Sequence, residues 1–266
     1  MTEEILKKIK QLPPLPESAM QIEAVYQDPN SSFQDMVKIL EKDPLLTADI
    51  LKAANSPLYG FSREINAISQ AVGLFGMGTV RGFALASIVK KSFTLDLSAY
   101  GISNEMFSEL SKRQHALITA WCVKKENKLM GILSPAAFLV EIGKVIIAQQ
   151  IMMESKQQEF KDALLELQDV EAAEEKVIGV HTPEVSATIF KLWKFEEGLV
   201  DTIANCQQPD KAKEEDRRAA QFLHVVRIAI PINGVATEKS IADAKALIEK
   251  YSLDLESFEH ALESAT

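Results

Sequence analysis

The chain has little cysteine, few aromatic side chains and no long uninterrupted apolar run. Its 266 residues include two cysteines, Cys122 and Cys206, and aromatic residues make up 7%. Two thiols cannot form a disulfide framework, which favours a reducing compartment over secretion. The most apolar stretch, residues 67–89, is interrupted by Gln70, several glycines and Arg81, whereas a membrane span needs about 20 mostly apolar residues. The sequence therefore predicts a cytoplasmic protein with no membrane insertion.

Positive charge is also in deficit. Lys and Arg number 29 against 38 Asp and Glu, which gives a net charge of −9. Such a field repels phosphate backbones and anionic lipid, so we expect no nucleic-acid partner. Hydrophobic residues at 47% and charged residues at 25% are ordinary for a globular chain of one or two domains.

Helix start signals are frequent, and no alternating strand pattern is present. Asp43-Pro44 and Thr182-Pro183 each place a capping side chain before a proline, and Ser134-Pro135 has the same form. This pattern predicts an all-α fold of about a dozen helices. The polar stretch 93–104 predicts a boundary between two helical subdomains, residues 1–95 and 96–266.

The residues that most often carry chemistry are scattered. Four histidines occur, with no two within five residues, and the chain has no HExxH, CxxC or GxSxG pattern. A metal site built from distant ligands stays open at this point. The glycine cluster Gly73, Gly76 and Gly78 follows a helical pattern, so we expect it to serve close helix packing or a helix end rather than a nucleotide.

One ordered set of motifs resembles a known family. Residues 12–16 read Leu-Pro-Pro-Leu-Pro, residues 43–47 read Asp-Pro-Leu-Leu-Thr, residues 54–60 read Ala-Asn-Ser-Pro-Leu-Tyr-Gly, and a helix with Arg81 follows. Together they resemble the HDOD family of bacterial signalling proteins, degenerate relatives of the HD and HD-GYP metal-dependent phosphohydrolases. The resemblance covers about residues 12–209 and implies a multi-helical, HD-domain-like bundle.

The most specific motif has a structural interpretation of its own. Asp43 and Pro44 begin a helix, and Asn55 ends it about three turns later, followed by Ser56 and Pro57. An amide at a helix end can bond orphan carbonyls or fix the next loop, which here contains Tyr59 and Gly60. A fold-maintaining role and a ligand or partner contact both remain open for these residues.

The resemblance also implies a lost metal site. Catalytic relatives carry a first His, then an adjacent His-Asp pair, then a last Asp. His115 stands at the first position, Val140 and Glu141 at the pair, and Ile230 at the last position; His181 matches a further His of the hydrolases, and Gln207 lies where relatives often carry paired histidines. Val and Ile cannot donate a lone pair to a metal, and the remaining ligands are too few to activate a water.

These departures predict a non-catalytic regulatory or interaction module that uses no cofactor and acts through a signalling protein partner. The alternatives are a residual metal-dependent phosphohydrolase or phosphodiesterase, and a nucleotide-binding effector without turnover. We expect the partner to dock at the junction of the subdomains, where residues 58–65, with Arg63 and Glu64 exposed, could approach residues 93–104. The competing interpretation is that Tyr59 and Phe61 simply join the two halves.

Overall fold

The computed structural model describes residues 1–265 and is entirely helical. In that part of the chain there are fifteen α-helices and five short 3₁₀ turns, with no strand, which confirms the predicted all-α class. The first five helices are α1 (Glu3–Lys10), α2 (Glu17–Gln27), α3 (Phe33–Glu41), α4 (Pro44–Ala54) and α5 (Ile68–Lys91).

Ten further helices follow the polar connection at residues 92–103. They are α6 (Asn104–Cys122), α7 (Met130–Leu139), α8 (Gly143–Met153), α9 (Gln157–Leu167), α10 (Val170–Ile178), α11 (Thr182–Leu192), α12 (Glu197–Ala204), α13 (Glu214–Ala229), α14 (Glu238–Lys250) and α15 (Leu255–Ala265). The 3₁₀ turns are Pro57–Tyr59, Ser98–Tyr100, Asn127–Leu129, Val140–Ile142 and Pro209–Lys211.

Local capping explains several helix starts. The Asp43 carboxylate accepts the backbone N–H groups of Leu45 and Leu46 at 3.0 Å each, at the start of α4. Ser32 and Asp35 form a reciprocal capping box at the start of α3. These bonds satisfy amide groups that the first turn of a helix leaves without partners.

Helix α5 breaks in the middle and packs closely on α7. Gly76 has φ +80° and interrupts the helical geometry, a conformation that glycine adopts at little cost. A Cβ added at Gly78 would lie 2.8 Å from Gly131 Cα, so the backbones of α5 and α7 meet there without side chains. Gly78 therefore serves close helix packing and Gly76 a helix break, whereas a Cβ at Gly73 would meet open space.

Ser134-Pro135 has the form of a helix start, but no helix begins there. Pro135 lies inside α7, and a 3₁₀ turn separates α7 from α8. An interior proline leaves the carbonyl four residues earlier without its helical donor. That carbonyl belongs to Gly131, and Arg81 Nη1 donates to it at 2.9 Å. A side chain from α5 thus replaces the missing backbone bond.

Arg81 also joins two other parts of the fold. It is fully buried, pairs with Glu23 of α2 through Nε at 2.6 Å and Nη2 at 2.8 Å, and reaches Glu196 at 2.8 Å. The buried apolar core is continuous from α1 to α15. The proposed division at residue 95 stays a prediction.

Within residues 1–265, two stretches are long and apolar enough to cross a membrane, Ile68–Lys91 and Asn127–Met153. Most of the apolar window of each is buried inside the fold, 61% and 89% respectively. Both are core elements of the bundle, and the first of them carries the paired Arg81. The second is divided by the Val140–Ile142 turn.

Candidate functional site

The segment that the resemblance equates with the His-Asp pair forms the turn between α7 and α8. Ser186 of α11 fixes this turn, since its Oγ donates to the Val140 carbonyl at 2.6 Å and accepts the Gly143 N–H at 2.8 Å. A Cβ on Gly143 would lie 2.5 Å from the Thr182 carbonyl oxygen. Glycine at that position therefore allows α11 to approach the turn closely.

Glu141 is buried and paired with two cations. Its Oε1 accepts from Arg227 Nε at 2.7 Å, and its Oε2 lies 2.9 Å from Lys144 Nζ. Arg227 also pairs with Glu171. Burial alone would raise the pKa of Glu141, but the guanidinium of Arg227 and the ammonium of Lys144 hold that pKa far below its usual value. Glu141 is therefore ionised and fully engaged.

Lys144 lies at the centre of an ion-pair cluster made of Glu141, Lys144, Glu171, Glu174 and Arg227. Its Nζ is 3.4 Å from Glu174 and 3.9 Å from Glu171. Burial lowers the pKa of Lys144, but the three carboxylates outweigh that effect and raise it above the ordinary value. The ammonium thus occupies the space between the acids.

Hydroxyl and amide donors complete this cluster. Thr182 Oγ1 accepts from Lys144 at 3.0 Å and donates to Glu174 at 2.6 Å. The Thr182 N–H and the Tyr100 hydroxyl donate to the same carboxylate at 2.6 and 2.7 Å. Hydrogen bonds to the remaining lone pairs and protons offset the cost of burying these charges.

A cleft of about 500 Å³ opens over the cluster. Three of the positions that the resemblance selected lie along it, namely Glu141, Gln207 and Ile230. Gln114, one residue before His115, lines it as well, and its Nε2 donates to the Ile230 carbonyl at 3.1 Å. The structure thus brings these three positions to one cleft.

His115 lies apart from this cluster. Its Nδ1 is 2.6 Å from the Tyr59 hydroxyl, and its Nε2 is 2.8 Å from Ser134 Oγ. Its ring stacks on Phe138 with 3.9 Å between centroids. Burial lowers the pKa of His115 to about 3, so the ring is neutral near pH 7. We assign its proton to Nε2, because Tyr59 then donates to Nδ1 and Ser134 can donate to the Thr79 carbonyl.

His181 has a capping role. It precedes α11, and its Nδ1 accepts the Glu184 N–H at 3.4 Å. The neighbouring Thr182, rather than His181, reaches the ion-pair cluster. Val140 is fully buried and contributes its carbonyl to the turn. Among residues 1–265, no group of three or more His, Cys, Asp or Glu side chains could hold a metal ion.

Sequence reasoning missed the two cations. Lys144 was visible as the end of the Glu-Ile-Gly-Lys stretch, three residues after Glu141, a spacing that puts both on one helical face. Arg227 was visible beside Ile230, but nothing local indicates that it pairs with Glu141. The pairing joins residues that are 86 positions apart in the chain.

The motif loop (residues 55–65) is fixed at both ends. Asn55 Nδ2 donates to the Leu51 and Ile65 carbonyls at 2.9 Å each, and its Oδ1 accepts the Ile65 N–H at 2.8 Å. Tyr59 lies in an aromatic cluster with Phe75, Phe83, His115 and Phe138. The motif loop is thus joined directly to α5 and α6, and Phe138 of α7 packs on the same rings.

Arg63 and Glu64 are exposed in the motif loop. The Pro57–Tyr59 turn packs mainly against α6 and α15, whereas the Ser98–Tyr100 turn packs mainly against α8 and α9. The two segments proposed to meet at a docking surface therefore have different principal neighbours.

The fold and this site define an all-helical, HD-domain-like protein. In its candidate site, the buried carboxylates are paired with the cations Lys144 and Arg227. A family model for the HDOD domain matches residues 12–209, and the chain belongs to the HDOD family. The match coincides with the segment that carries the sequence resemblance.

Three solved structures have the same fold. A virulence factor of Campylobacter jejuni is 27% identical, with 100% of this chain and 98% of that one covered and a TM-score of 0.61. A protein of Shewanella amazonensis described as a proposed phosphohydrolase is 22% identical over 99% and 94% of the two chains, with a TM-score of 0.69. A proposed signal transduction protein of Marinobacter aquaeolei is 20% identical over 99% and 59%, with a TM-score of 0.71.

A curated relative matches a short segment only. An uncharacterized protein of Treponema pallidum is 30% identical over 73 residues, which are 27% of this chain and 14% of that protein. The match therefore spans a small part of the relative's length.

Proposed function

We propose that this chain is a non-catalytic regulatory module of cytoplasmic bacterial signalling that acts by binding a protein partner. The observation that carries the proposal is the pairing of Glu141 with Arg227 and Lys144. Both carboxylate oxygens are engaged by cations, and two fixed positive charges repel a divalent metal from the same place. Without a metal-activated water, phosphoester hydrolysis lacks its nucleophile.

The family supports the signalling part of the proposal. HDOD proteins resemble the HD phosphohydrolases in fold, and one solved structure with the same fold is described as a proposed signal transduction protein. Function without catalysis must come from surface contacts. The motif loop supplies a rigid candidate surface, since Asn55 and Tyr59 hold it in place while Arg63 and Glu64 face solvent.

The catalytic half of the proposal is tested by hydrolysis assays. Purified full-length protein is incubated with bis(p-nitrophenyl) phosphate and with cyclic dinucleotides in the presence of Mn²⁺, Fe²⁺ or Mg²⁺. We expect no metal-dependent turnover. Turnover that disappears in Glu141→Gln would instead establish the residual phosphohydrolase.

The partner half is tested with a double variant, Arg63→Ala/Glu64→Ala, compared with the wild type in a deletion strain of the native bacterium. Exposed charges of this kind leave stability nearly unchanged. The matched control is Lys161→Ala/Asp162→Ala, an exposed pair on α9. We expect the motif-loop variant alone to lose complementation and cross-linking to the partner by at least tenfold. Full retention of both by a folded variant would refute docking through this loop.

A further inference from the structure

A second concave surface lies where α4 and α5 meet α6 and α7. This groove, of about 690 Å³, is lined at one end by Asn55, Ser56 and Pro57 of the motif loop. Its floor is apolar and is formed by Phe83, Phe107, Phe138, Leu139 and Ile142. The volume lies within the range of small-molecule sites, roughly 300–1,000 Å³.

Although the chain has a net charge of −9, four lysines surround this groove, namely Lys52, Lys90, Lys91 and Lys112. We call it the lysine-rimmed groove. Lys91 pairs with Asp49 at 2.7 Å, and Lys112 is 3.7 Å from Glu109. Among the described residues, Lys52 and Lys90 have no carboxylate oxygen within 4.0 Å of their ammonium groups. Burial and the nearby charge of Lys112 both lower the pKa of Lys90. The groove therefore holds positive charge that the protein itself neutralises only in part.

Hydroxyl groups lie beside these ammonium groups. Ser108, Ser111 and Lys112 follow each other at helical spacing along one face of α6, and all three line the groove. Lys90 at the end of α5 donates to Ser108 Oγ at 2.9 Å. Ammonium and hydroxyl donors at one rim suit a carboxylate or phosphate oxygen. The apolar floor next to them suits a hydrocarbon or aromatic body.

We propose that the lysine-rimmed groove binds a small amphipathic anion, whose charged head contacts Lys90 and Lys112 and whose apolar body covers the phenylalanine floor. This inference goes beyond the proposed partner binding and does not depend on it. A ligand in the groove would contact Asn55, Ser56 and Pro57, the first residues of the motif loop. Through this contact, binding of the anion would make the regulatory module responsive to a small molecule.

The test uses two fluorescent probes of similar shape. 1-Anilinonaphthalene-8-sulfonate carries an anionic head, whereas N-phenyl-1-naphthylamine is its neutral counterpart. Each is titrated into full-length wild type, Lys90→Met, Lys112→Met and the control Lys161→Met, which changes an exposed lysine on α9. We expect one sulfonate probe per chain and at least tenfold weaker binding in the two groove variants. The neutral probe and the control variant should change less than twofold.

A blocking variant and competitors complete the design. Ala86→Trp adds bulk on the α5 wall of the groove, and we expect it to abolish binding of both probes while the melting curve remains cooperative. Decyl phosphate and decanoate should displace the sulfonate probe, and decanol should not. Whichever of the two anions displaces the probe at the lower concentration identifies the preferred head group. Unchanged binding in Lys90→Met, Lys112→Met and Ala86→Trp would overturn the proposal. Displacement only by a Glu- and Leu-rich peptide would overturn it too, because the groove would then belong to a protein segment.

Discussion

Buried ionisable side chains in this protein take the charge state that their immediate partners favour. His115 is surrounded by hydroxyl groups and aromatic rings, so burial dominates and lowers its pKa to about 3. Glu141 is equally buried, but Arg227 and Lys144 supply opposite charge and keep it ionised. Burial thus leaves His115 neutral and Glu141 charged. The two groups are near each other in the fold, because Phe138, which stacks on His115, precedes Glu141 by only three residues.

The neutral state of His115 predicts a pH-dependent stability. The pKa of this histidine is lowered in the folded state, so the unfolded chain takes up a proton first as the pH falls through about 6.5. The stability contributed by neutral His115 is therefore complete above that pH and is lost progressively below it. Between pH 7 and 5.5 we expect a loss of about 1 kcal/mol from this group.

Denaturant titrations at the two pH values measure this loss. His115→Gln should show a smaller pH slope than the wild type, whatever its absolute stability. His260→Gln is the control, because His260 is exposed on α15. His224, whose pKa burial lowers to about 4, contributes in the same direction and remains in both variants. Equal slopes in wild type and His115→Gln would contradict the assignment.

Asn55 gives a second prediction at the residue scale. Its side chain makes three hydrogen bonds, two of them to Ile65 across the motif loop. The side chain is exposed, so each bond contributes modestly, and we expect Asn55→Ala to lower the free energy of unfolding by about 1–2 kcal/mol. Asn55→Asp keeps the acceptor for the Ile65 N–H but sets a carboxylate oxygen against the Leu51 and Ile65 carbonyls, so it should lose at least as much. An Asn55→Ala variant as stable as the wild type in denaturant melts would remove this structural role.

At the scale of the helices, the sequence was most informative where the signal was local. Asp43-Pro44 predicted a helix start that the structure has. Ser134-Pro135 has the same local form and failed, because the donor that makes an interior proline tolerable comes from Arg81 on another helix. A pattern within a few residues cannot reveal a bond between residues 50 positions apart.

Arg81 is therefore expected to hold several elements together. Arg81→Met would leave Glu23, Glu196 and the Gly131 carbonyl without this donor, and breaking a buried ion pair from one side typically costs about 3–5 kcal/mol. Calorimetry of the variant should show a large drop in the melting temperature. Arg113→Met removes a half-exposed partner of Glu109 and should cost under about 1 kcal/mol. Similar losses in both variants would contradict the role assigned to Arg81.

At the scale of the whole molecule, the two parts of the chain are joined through side chains rather than through the connection alone. Tyr59 of the motif loop bonds His115 of α6, and Phe83 of α5 packs against Phe138 of α7. The family motif and the first histidine position therefore belong to one aromatic cluster. The family resemblance indicated both positions, but only the fold shows that they touch.

The sequence selected three positions that the structure brings to one cleft, but it did not reveal which side chains pair there. Glu141, Gln207 and Ile230 line one cleft, as the family resemblance implies. His115 was placed with them by sequence, yet its neighbour Gln114 lines the cleft while His115 faces Tyr59 and Ser134. One residue along a helix turns a side chain by about 100°, so an alignment that is correct to one position can still select the wrong face.

Restoring the missing ligand types should accordingly fail to restore a metal site. In Val140→His/Glu141→Asp the new histidine replaces a fully buried valine, and the shorter carboxylate still lies near Arg227 and Lys144. Those two cations would compete with a metal for the same oxygens and repel it, and Ile230 would still lack a ligand atom. We expect elemental analysis of the purified double variant after incubation with Mn²⁺, Fe²⁺ or Zn²⁺ to find well under one equivalent of metal, with no phosphodiesterase turnover. One tightly bound equivalent in that variant, absent from the wild type, would show that the ion pairs yield to a metal, and the argument for a non-catalytic module would fail with them.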